Sequence, residues 1–184
     1  IFDKKLLDEV INIVEDPNVL LIEFNKNYLD IPKEIIISTL QNHQRYFPLF
    51  DIKNNLTNSF FVVANKADNK NLIKEGNKKV VEARLSDAKF FWDKDKSRNL
   101  IKQISKLKDV VFYDKLGTVY DKTQRIRKLS SQISDDLNTN KEKTQTAASI
   151  SKSDLCSDLV GEYPELQGVM GKYFALAQGF EEDV

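Results

Sequence analysis

Apolar and polar positions in the first ninety residues alternate between helical and strand-like spacing. The segment 4–15 repeats apolar residues every three or four positions and predicts an amphipathic helix that ends at Asp16-Pro17. The run 19–24 is continuously apolar between turn residues and predicts a buried strand. A further helix is expected to begin at Pro32 and to end near His43.

A β-hairpin is predicted after this helix. Residues 46–50 and 60–64 are rich in aromatic and apolar side chains, and the polar segment 51–57 between them predicts a turn. The two strands should therefore pair across 46–64. Because a proline donates no hydrogen bond to a ladder, Pro48 indicates an edge strand or a bulge.

From Asn71 onward the spacing of apolar residues is helical, and the first of these helices has one apolar face. That face carries Asn77, Val81, Leu85, Ala88 and Trp92. Four more helices are predicted: one over 100–107, one capped by Thr118 and Asp121, one over 142–159 and one over 166–177.

The helix that follows Thr118 is expected to bury a regular apolar face. Its members are Ile126, Leu129, Ile133 and Leu137. Gly168 and Gly171 are expected inside the last helix, where they would allow another element to approach closely.

These elements predict an α+β fold with two parts. Residues 1–93 are expected to be mixed α/β, and residues 94–184 are expected to be all-α. The wholly polar segment 93–98 marks the predicted boundary. Because the chain opens on Ile1 with a helix expected almost at once, we expect it to be a segment of a longer protein.

The composition is that of an ordinary globular protein. The 184 residues are 41% hydrophobic and 30% charged. No apolar run reaches the roughly 20 residues that a membrane-spanning helix needs. The only cysteine, Cys156, excludes an internal disulfide and a cysteine-rich zinc site, and it is expected to be a core thiol without chemistry.

Charge is unevenly distributed although the net charge is zero. Residues 94–128 contain eleven Lys and Arg against four Asp and Glu, whereas residues 129–184 contain four against ten. Such a basic stretch can face a polyanion, and it can equally be a solvated helical surface.

The only histidine lies in an unusual block, Gln41–Asp51, beside Arg45 and three aromatic residues. An imidazole can act as a general base near neutral pH, but it then needs a paired orienting group, so a structural or RNA-contacting role is favoured for His43. Arg45 beside Tyr46 could contact RNA, or it could form a salt bridge against the hairpin. For Arg84 a helix-surface ion pair is the default expectation.

Four sequence blocks occur in an order that resembles the beta subunit of bacterial heterotetrameric glycyl-tRNA synthetase. They are Gln41–Asp51, Glu75–Ala88, Lys115–Thr123 and Val160–Gly171, and the resemblance extends over about 20–179. It implies the end of a B3/4-like domain in the first part and an HD-like helical domain in the second.

The resemblance also implies a function and its partners. In that family an alpha subunit makes glycyl-adenylate from glycine and ATP with Mg²⁺. The beta subunit supports recognition of tRNA(Gly) and the transfer of glycine to it, within a cytoplasmic α2β2 tetramer. The sequence contains no glycine-rich phosphate loop, so no catalytic residue is expected here and no cofactor is expected to bind this chain.

Two other functions stay open at this point. The helices could form a non-catalytic scaffold that holds the alpha subunit without touching RNA. A degenerate HD-type phosphohydrolase is a third possibility. Some family members place a His-Asp pair before the final glycine of the last helix, but this chain has Ala177-Gln178 before Gly179, and no metal site is expected.

Candidate RNA-binding residues follow from the basic stretch and the histidine block, because Lys and Arg neutralise backbone phosphates. They are Arg45, Lys102, Lys106, Lys122, Arg125 and Lys128.

Overall fold

The helix predicted at the start of the chain forms in the computed structural model, which describes residues 3–184. Helix α1 spans Lys4–Ile13, and the Asp3 carboxylate caps it by accepting a 3.0 Å hydrogen bond from Leu6 N. Leu6 and Val10 are buried, which confirms the predicted amphipathic face.

Three antiparallel strands form the sheet of the first part in the order β1-β3-β2, with β1 at Asn18–Glu23, β2 at Phe47–Phe50 and β3 at Leu56–Ala64. The predicted hairpin is therefore confirmed. Pro48 lies on an edge strand, and the register shifts between Pro48 and Phe50.

The strand predicted over 19–24 is confirmed as β1, but it is buried on one face only. Leu20 and Ile22 are buried, whereas Val19 and Leu21 on the opposite face of β1 are exposed. Because β1 is an edge strand of an antiparallel sheet, it needs to bury only the side chains on one face.

The first compact unit extends to Phe90 and also contains helix α2 and most of helix α3. Helix α2 spans Lys33–Ser38 and continues as one π-helical turn at Thr39–His43, so the predicted end near His43 is confirmed. Helix α3 spans Leu72–Asp95. The largest side chains in the core of this unit are Phe24, Ile35, Ile36, Leu40, Phe60, Val81 and Leu85.

The second compact unit, 91–184, is not all-α as predicted. Two short strands, β4 at Val111–Tyr113 and β5 at Gly117–Thr118, form an antiparallel ladder. A 3₁₀ turn at Asp114–Leu116 connects them, and Gly117 has a φ of +79°, which only glycine adopts easily.

Helices account for most of the remaining second unit. They are α4 at Leu100–Gln103, α5 at Val119–Asp136, α6 at Lys141–Ile150, α7 at Asp158–Glu162 and α8 at Val169–Ala177. Short 3₁₀ segments occur at Ile104–Asp109, Ser153–Cys156 and Pro164–Leu166.

The single helix predicted over 142–159 is wrong because the chain breaks into three helical pieces there. The Ser157 side chain starts a new helix by accepting a 3.1 Å hydrogen bond from Val160 N. Cys156 consequently lies on a 3₁₀ turn, half-buried rather than in the core, and burial raises the pKa of its thiol.

The predicted start of the last helix is also wrong. Gly168 is not inside the helix but precedes α8, with a φ of +84°. Gly171 is inside α8, and a Cβ there would lie 3.1 Å from Asp154 Oδ2, which confirms the expected close approach.

The buried face predicted for α5 is wrong as well. Leu129, Ile133 and Leu137 are exposed at 59%, 48% and 67%. The side chains that α5 buries are Val119, Thr123 and Ser134. Thr123 donates a hydrogen bond to Val119 O at 2.9 Å, and the Ser134 hydroxyl pairs with that of Thr139. These buried hydroxyl groups therefore have hydrogen-bond partners. Helix α5 contacts α6.

Candidate nucleic-acid interface

Five of the six candidate RNA-binding residues lie in the second unit. Lys102 is in α4 and Lys106 is in the 3₁₀ segment that follows it, and both are exposed. Lys122, Arg125 and Lys128 are in α5, and their spacing of three residues places them on one side of the helix. The name basic face is used below for these five side chains, two in and after α4 and three along one side of α5.

A capping box fixes the start of α5 and therefore the position of these cations. The Asp121 carboxylate accepts hydrogen bonds from Thr118 N and Thr118 Oγ1, each at 2.8 Å, and Asp121 N donates to Thr118 Oγ1 at 3.2 Å. These two Thr118 donors hold the pKa of Asp121 below its ordinary value. The predicted Thr118–Asp121 cap is thus confirmed.

The other cations of the basic stretch are partly neutralised. Lys94 and Arg98 contact Asp158 at 2.6 and 2.9 Å, and these two cations lower the pKa of Asp158. Lys96 contacts Asp93 at 2.5 Å. In contrast, among residues 3–184 the basic face makes no ion pair within 4.0 Å, although the Arg125 charge also lowers the pKa of Asp121 one helical turn away.

The β4–β5 hairpin places exposed aromatic side chains beside α5. The Lys122 ammonium lies 4.0 Å from the centre of the Phe112 ring, and Lys108 lies 5.0 Å from the centre of the Tyr120 ring. Val111 and Tyr113 are exposed at 77% and 64%. Cations beside exposed aromatic rings can hold a phosphate while a base stacks nearby.

This aromatic hairpin was missed by reasoning from the sequence. A signal was present, since Val110-Val111-Phe112-Tyr113 is a run of strongly strand-forming residues and Gly117 is a turn residue. The run was not interpreted as a strand because the apolar residues before and after it have helical spacing.

Arg45, the sixth candidate, lies in the first unit and is held within it. Its Nε lies 2.5 Å from Glu9 Oε1, and its Nη1 donates to the Asn42 carbonyl. Arg45 also has a φ of +59°, so its guanidinium is held at a tight backbone turn. Of the two roles considered for Arg45, RNA contact and a salt bridge, this geometry corresponds to the salt bridge.

The other two residues considered in the first unit are both exposed. His43 lies at the end of the π-helical turn. Arg84 lies on α3, where the neighbouring Glu82 carboxylate accepts a 2.9 Å hydrogen bond from Asn25 N.

The arrangement near Gln178 does not resemble a hydrolytic metal site. Gln178 Oε1 accepts from Leu100 N at 3.0 Å and its Nε2 donates to Arg98 O at 2.7 Å, so its amide joins two backbone groups. Among residues 3–184, no group of three His, Cys, Asp or Glu side chains could hold a metal ion. Within residues 3–184, none of the helices combines the length and the apolar character that crossing a membrane requires.

Comparison with known proteins identifies the family. A family model described as "Glycyl-tRNA synthetase beta subunit" matches residues 1–184. The glycine--tRNA ligase beta subunit of Clostridioides difficile (strain 630) is 49% identical over 100% of this chain and 27% of its own length. That of Janthinobacterium sp. (strain Marseille) is 44% identical over 96% of this chain and 25% of its own length.

A third relative, from Listeria monocytogenes, is 43% identical over 96% of this chain and 26% of its own length. The chain thus spans about a quarter of the length of the curated relatives it matches. With a family model matched over its whole length, this chain belongs to the glycyl-tRNA synthetase beta subunit family.

Proposed function

We propose that this chain holds the backbone of tRNA(Gly) within a glycine–tRNA ligase and so supports the transfer of glycine to that tRNA. The alpha subunit of the same enzyme activates glycine with ATP and Mg²⁺. The observation that carries this proposal is the basic face, whose five cations form no ion pair among the described residues and, except for the half-buried Lys122, are exposed. Membership of the glycyl-tRNA synthetase beta subunit family supports the choice of glycine transfer as the reaction and of tRNA(Gly) as the RNA.

The proposal includes the wider assembly that the resemblance implies. The first unit corresponds to the end of a B3/4-like domain, and the second corresponds to part of an HD-like helical domain. The enzyme is an α2β2 tetramer in the cytoplasm, and the ATP and Mg²⁺ are used by the alpha subunit.

The geometry of the basic face indicates how it would contact RNA. Cations at successive turns of one helix can follow a phosphate backbone, and such contacts position a nucleic acid without reading its sequence. The exposed ring of Tyr113 offers a stacking surface on the hairpin beside α5, and stacking tolerates any base. The expected ligand is therefore recognised by charge and shape.

A charge-reversal experiment in the full enzyme tests the proposal. Changing Lys122, Arg125 and Lys128 to Glu should raise the KM for tRNA. The slope of log affinity against log salt should flatten by about 1 for each phosphate that the variant no longer neutralises. Glycine-dependent ATP–pyrophosphate exchange should be unchanged, because that reaction belongs to the alpha subunit.

A matched control has the same change in net charge at Lys66, Lys152 and Lys172, which lie outside the basic stretch. This control should leave both the KM for tRNA and its salt dependence unaltered. An unchanged KM and salt slope in the charge-reversed enzyme, with the protein folded, would show that the basic face is only a solvated surface.

The scaffold function is the second candidate, and one observation favours it. Leu129 and Ile133 on α5, with Leu137 directly after the helix, form an exposed apolar stripe. Changing the stripe to Ser should weaken association with the alpha subunit if it is a subunit interface. If the stripe lies outside the interface, the changes should leave the assembly measured by analytical ultracentrifugation unaltered.

A further inference from the structure

A small cavity lies within the second unit, apart from the basic face, and polar side chains are among those that line it. Its volume is about 10 Å³, and Gln103, Ser153 and Asp154 are among the residues that line it. These side chains retain only 9%, 1% and 1% of their solvent exposure. The cavity adjoins α4 and the 3₁₀ segment at Ser153–Cys156.

Each of the three side chains presents an oxygen without a hydrogen-bond partner among the described residues. These atoms are Gln103 Oε1, Ser153 Oγ and Asp154 Oδ1, and all are shielded from solvent. The other carboxylate oxygen, Asp154 Oδ2, accepts from Gly168 N at 2.5 Å and from Gly171 N at 3.1 Å. Buried polar atoms in native proteins are nearly always hydrogen-bonded to protein or to ordered water.

Asp95 is also on this cavity, but it has its own partners. Its Oδ2 accepts from Leu159 N at 2.8 Å, and its Oδ1 lies 2.8 Å from Arg98 Nη1 without the angle of a hydrogen bond. The Arg98 guanidinium therefore offsets part of the cost of this carboxylate, while burial still raises the pKa of Asp95.

We propose that the cavity binds one structural water molecule. Such a water donates its two hydrogens to Asp154 Oδ1 and Gln103 Oε1, and it accepts the hydrogen of Ser153 Oγ. One ligand thus satisfies two acceptors and one donor, three hydrogen bonds in all, which is the usual number for a buried water. The volume is also at the lower limit for a single water molecule.

A hard metal cation fits the same atoms less well. Ca²⁺ takes six to eight oxygen ligands, and Mg²⁺ requires an octahedral set that usually includes several waters. Three unpaired oxygens and a cavity of about 10 Å³ leave no room for the missing ligands. Two backbone N–H groups already meet the negative charge of Asp154, which reduces the need for a cation.

The water would connect separate elements of the second unit. Asp154 holds the start of α8 through Gly168 and Gly171, while Gln103 ends α4. A bridging water between Asp154 and Gln103 thus joins α4 to the beginning of α8 through a single hydrogen-bond network.

The test is a structure of the full enzyme at a resolution that shows ordered waters. The expected result is one peak within hydrogen-bond distance of Asp154 Oδ1, Gln103 Oε1 and Ser153 Oγ. Direct pairing of these side chains with no peak would overturn the proposal. Five or six oxygens at metal-ligand distances, or an anomalous signal after soaking in Mn²⁺ or Tl⁺, would identify a cation and also overturn it.

Variants test which atoms hold the water. In the Gln103→Leu, Ser153→Ala double variant the water keeps one of its three partners, so the peak should disappear. The control is Ser105→Ala, because Ser105 is exposed and bonds only its own segment, at Lys102 O. The peak should persist in that control. If the double variant does not fold, the wild-type structure still decides between the outcomes.

Discussion

At the scale of single residues, the glycine before α8 makes the strictest demand on the sequence. Gly168 has a φ of +84° and donates its N–H to Asp154, so both its conformation and its hydrogen bond fix the chain. Gly168→Ala should lower the free energy of unfolding by about 1–2 kcal/mol, because an L side chain is strained at positive φ. Denaturant unfolding of the purified protein measures this change.

Gly161 provides the matched control for Gly168. It lies within α7, its φ is not positive, and a Cβ there would meet nothing within 4 Å. Gly161→Ala should therefore be neutral or stabilise the protein by about 0.4–1 kcal/mol. Equal losses of stability for the two variants would contradict the argument from φ.

Asp121 should link stability to pH. Its pKa is lowered by the N–H and hydroxyl of Thr118, so the carboxylate stabilises the fold above its unfolded pKa of about 3.9. That contribution disappears as the pH falls through the lower folded pKa. The wild type should be more stable than Asp121→Asn at pH 7, and the difference should vanish in acid.

Denaturant unfolding of both proteins at neutral pH and at successively lower pH measures this difference. A difference that stays constant with pH would mean that the Asp121 charge contributes nothing to the cap.

The cap itself was predictable from sequence because a Thr-x-x-Asp pair acts through local backbone geometry. The cavity beside Gln103 and Asp154 was not predictable, since only tertiary packing brings these two side chains to one place.

At the scale of elements, the orientation of α5 predicts different costs for replacing an exposed leucine on this helix and a buried leucine in a segment that contacts it. Leu129 is 59% exposed, so Leu129→Ala should change the free energy of unfolding by no more than about 0.5 kcal/mol. Leu107 is fully buried in the 3₁₀ segment that contacts α5. Leu107→Ala should cost about 2–5 kcal/mol. Equal costs would mean that the apolar stripe of α5 is covered.

The apolar spacing of α5 predicted the helix correctly but the wrong buried face. Ile126, Leu129, Ile133 and Leu137 have an ideal helical period, yet the side chains that α5 buries are Val119, Thr123 and Ser134. Period alone fixes the element and not the neighbour that covers it. Similarly, the helix predicted over 142–159 is interrupted because the Ser157 side chain caps a new helix, although the apolar spacing there continues at helical period.

At the scale of the whole molecule, the order of the elements was more predictable than their details. The mixed α/β beginning, the hairpin and the helical second half were predictable from apolar spacing, and the family was predictable from four short blocks. The β4–β5 ladder and the exposed aromatic rings were not, because short strands inside helical surroundings leave little periodic signal.

The chain alone should lack the activation reaction. Forming an aminoacyl-adenylate requires groups that bind ATP phosphates and stabilise charge at the α-phosphate. The sequence has no glycine-rich phosphate loop, and the cations of the basic face lie on a helical surface. Purified chain that melts cooperatively should therefore show no glycine-dependent ATP–pyrophosphate exchange above a buffer blank.

The complete enzyme serves as the positive control in the same assay. The separate alpha subunit is assayed beside the chain as a second control, because it is the subunit expected to supply activation. Exchange by the chain alone that survives further purification would place adenylate chemistry in these 184 residues. The basic face would then be a candidate for binding ATP phosphates, and charge reversal at Lys122, Arg125 and Lys128 should abolish the exchange instead of sparing it.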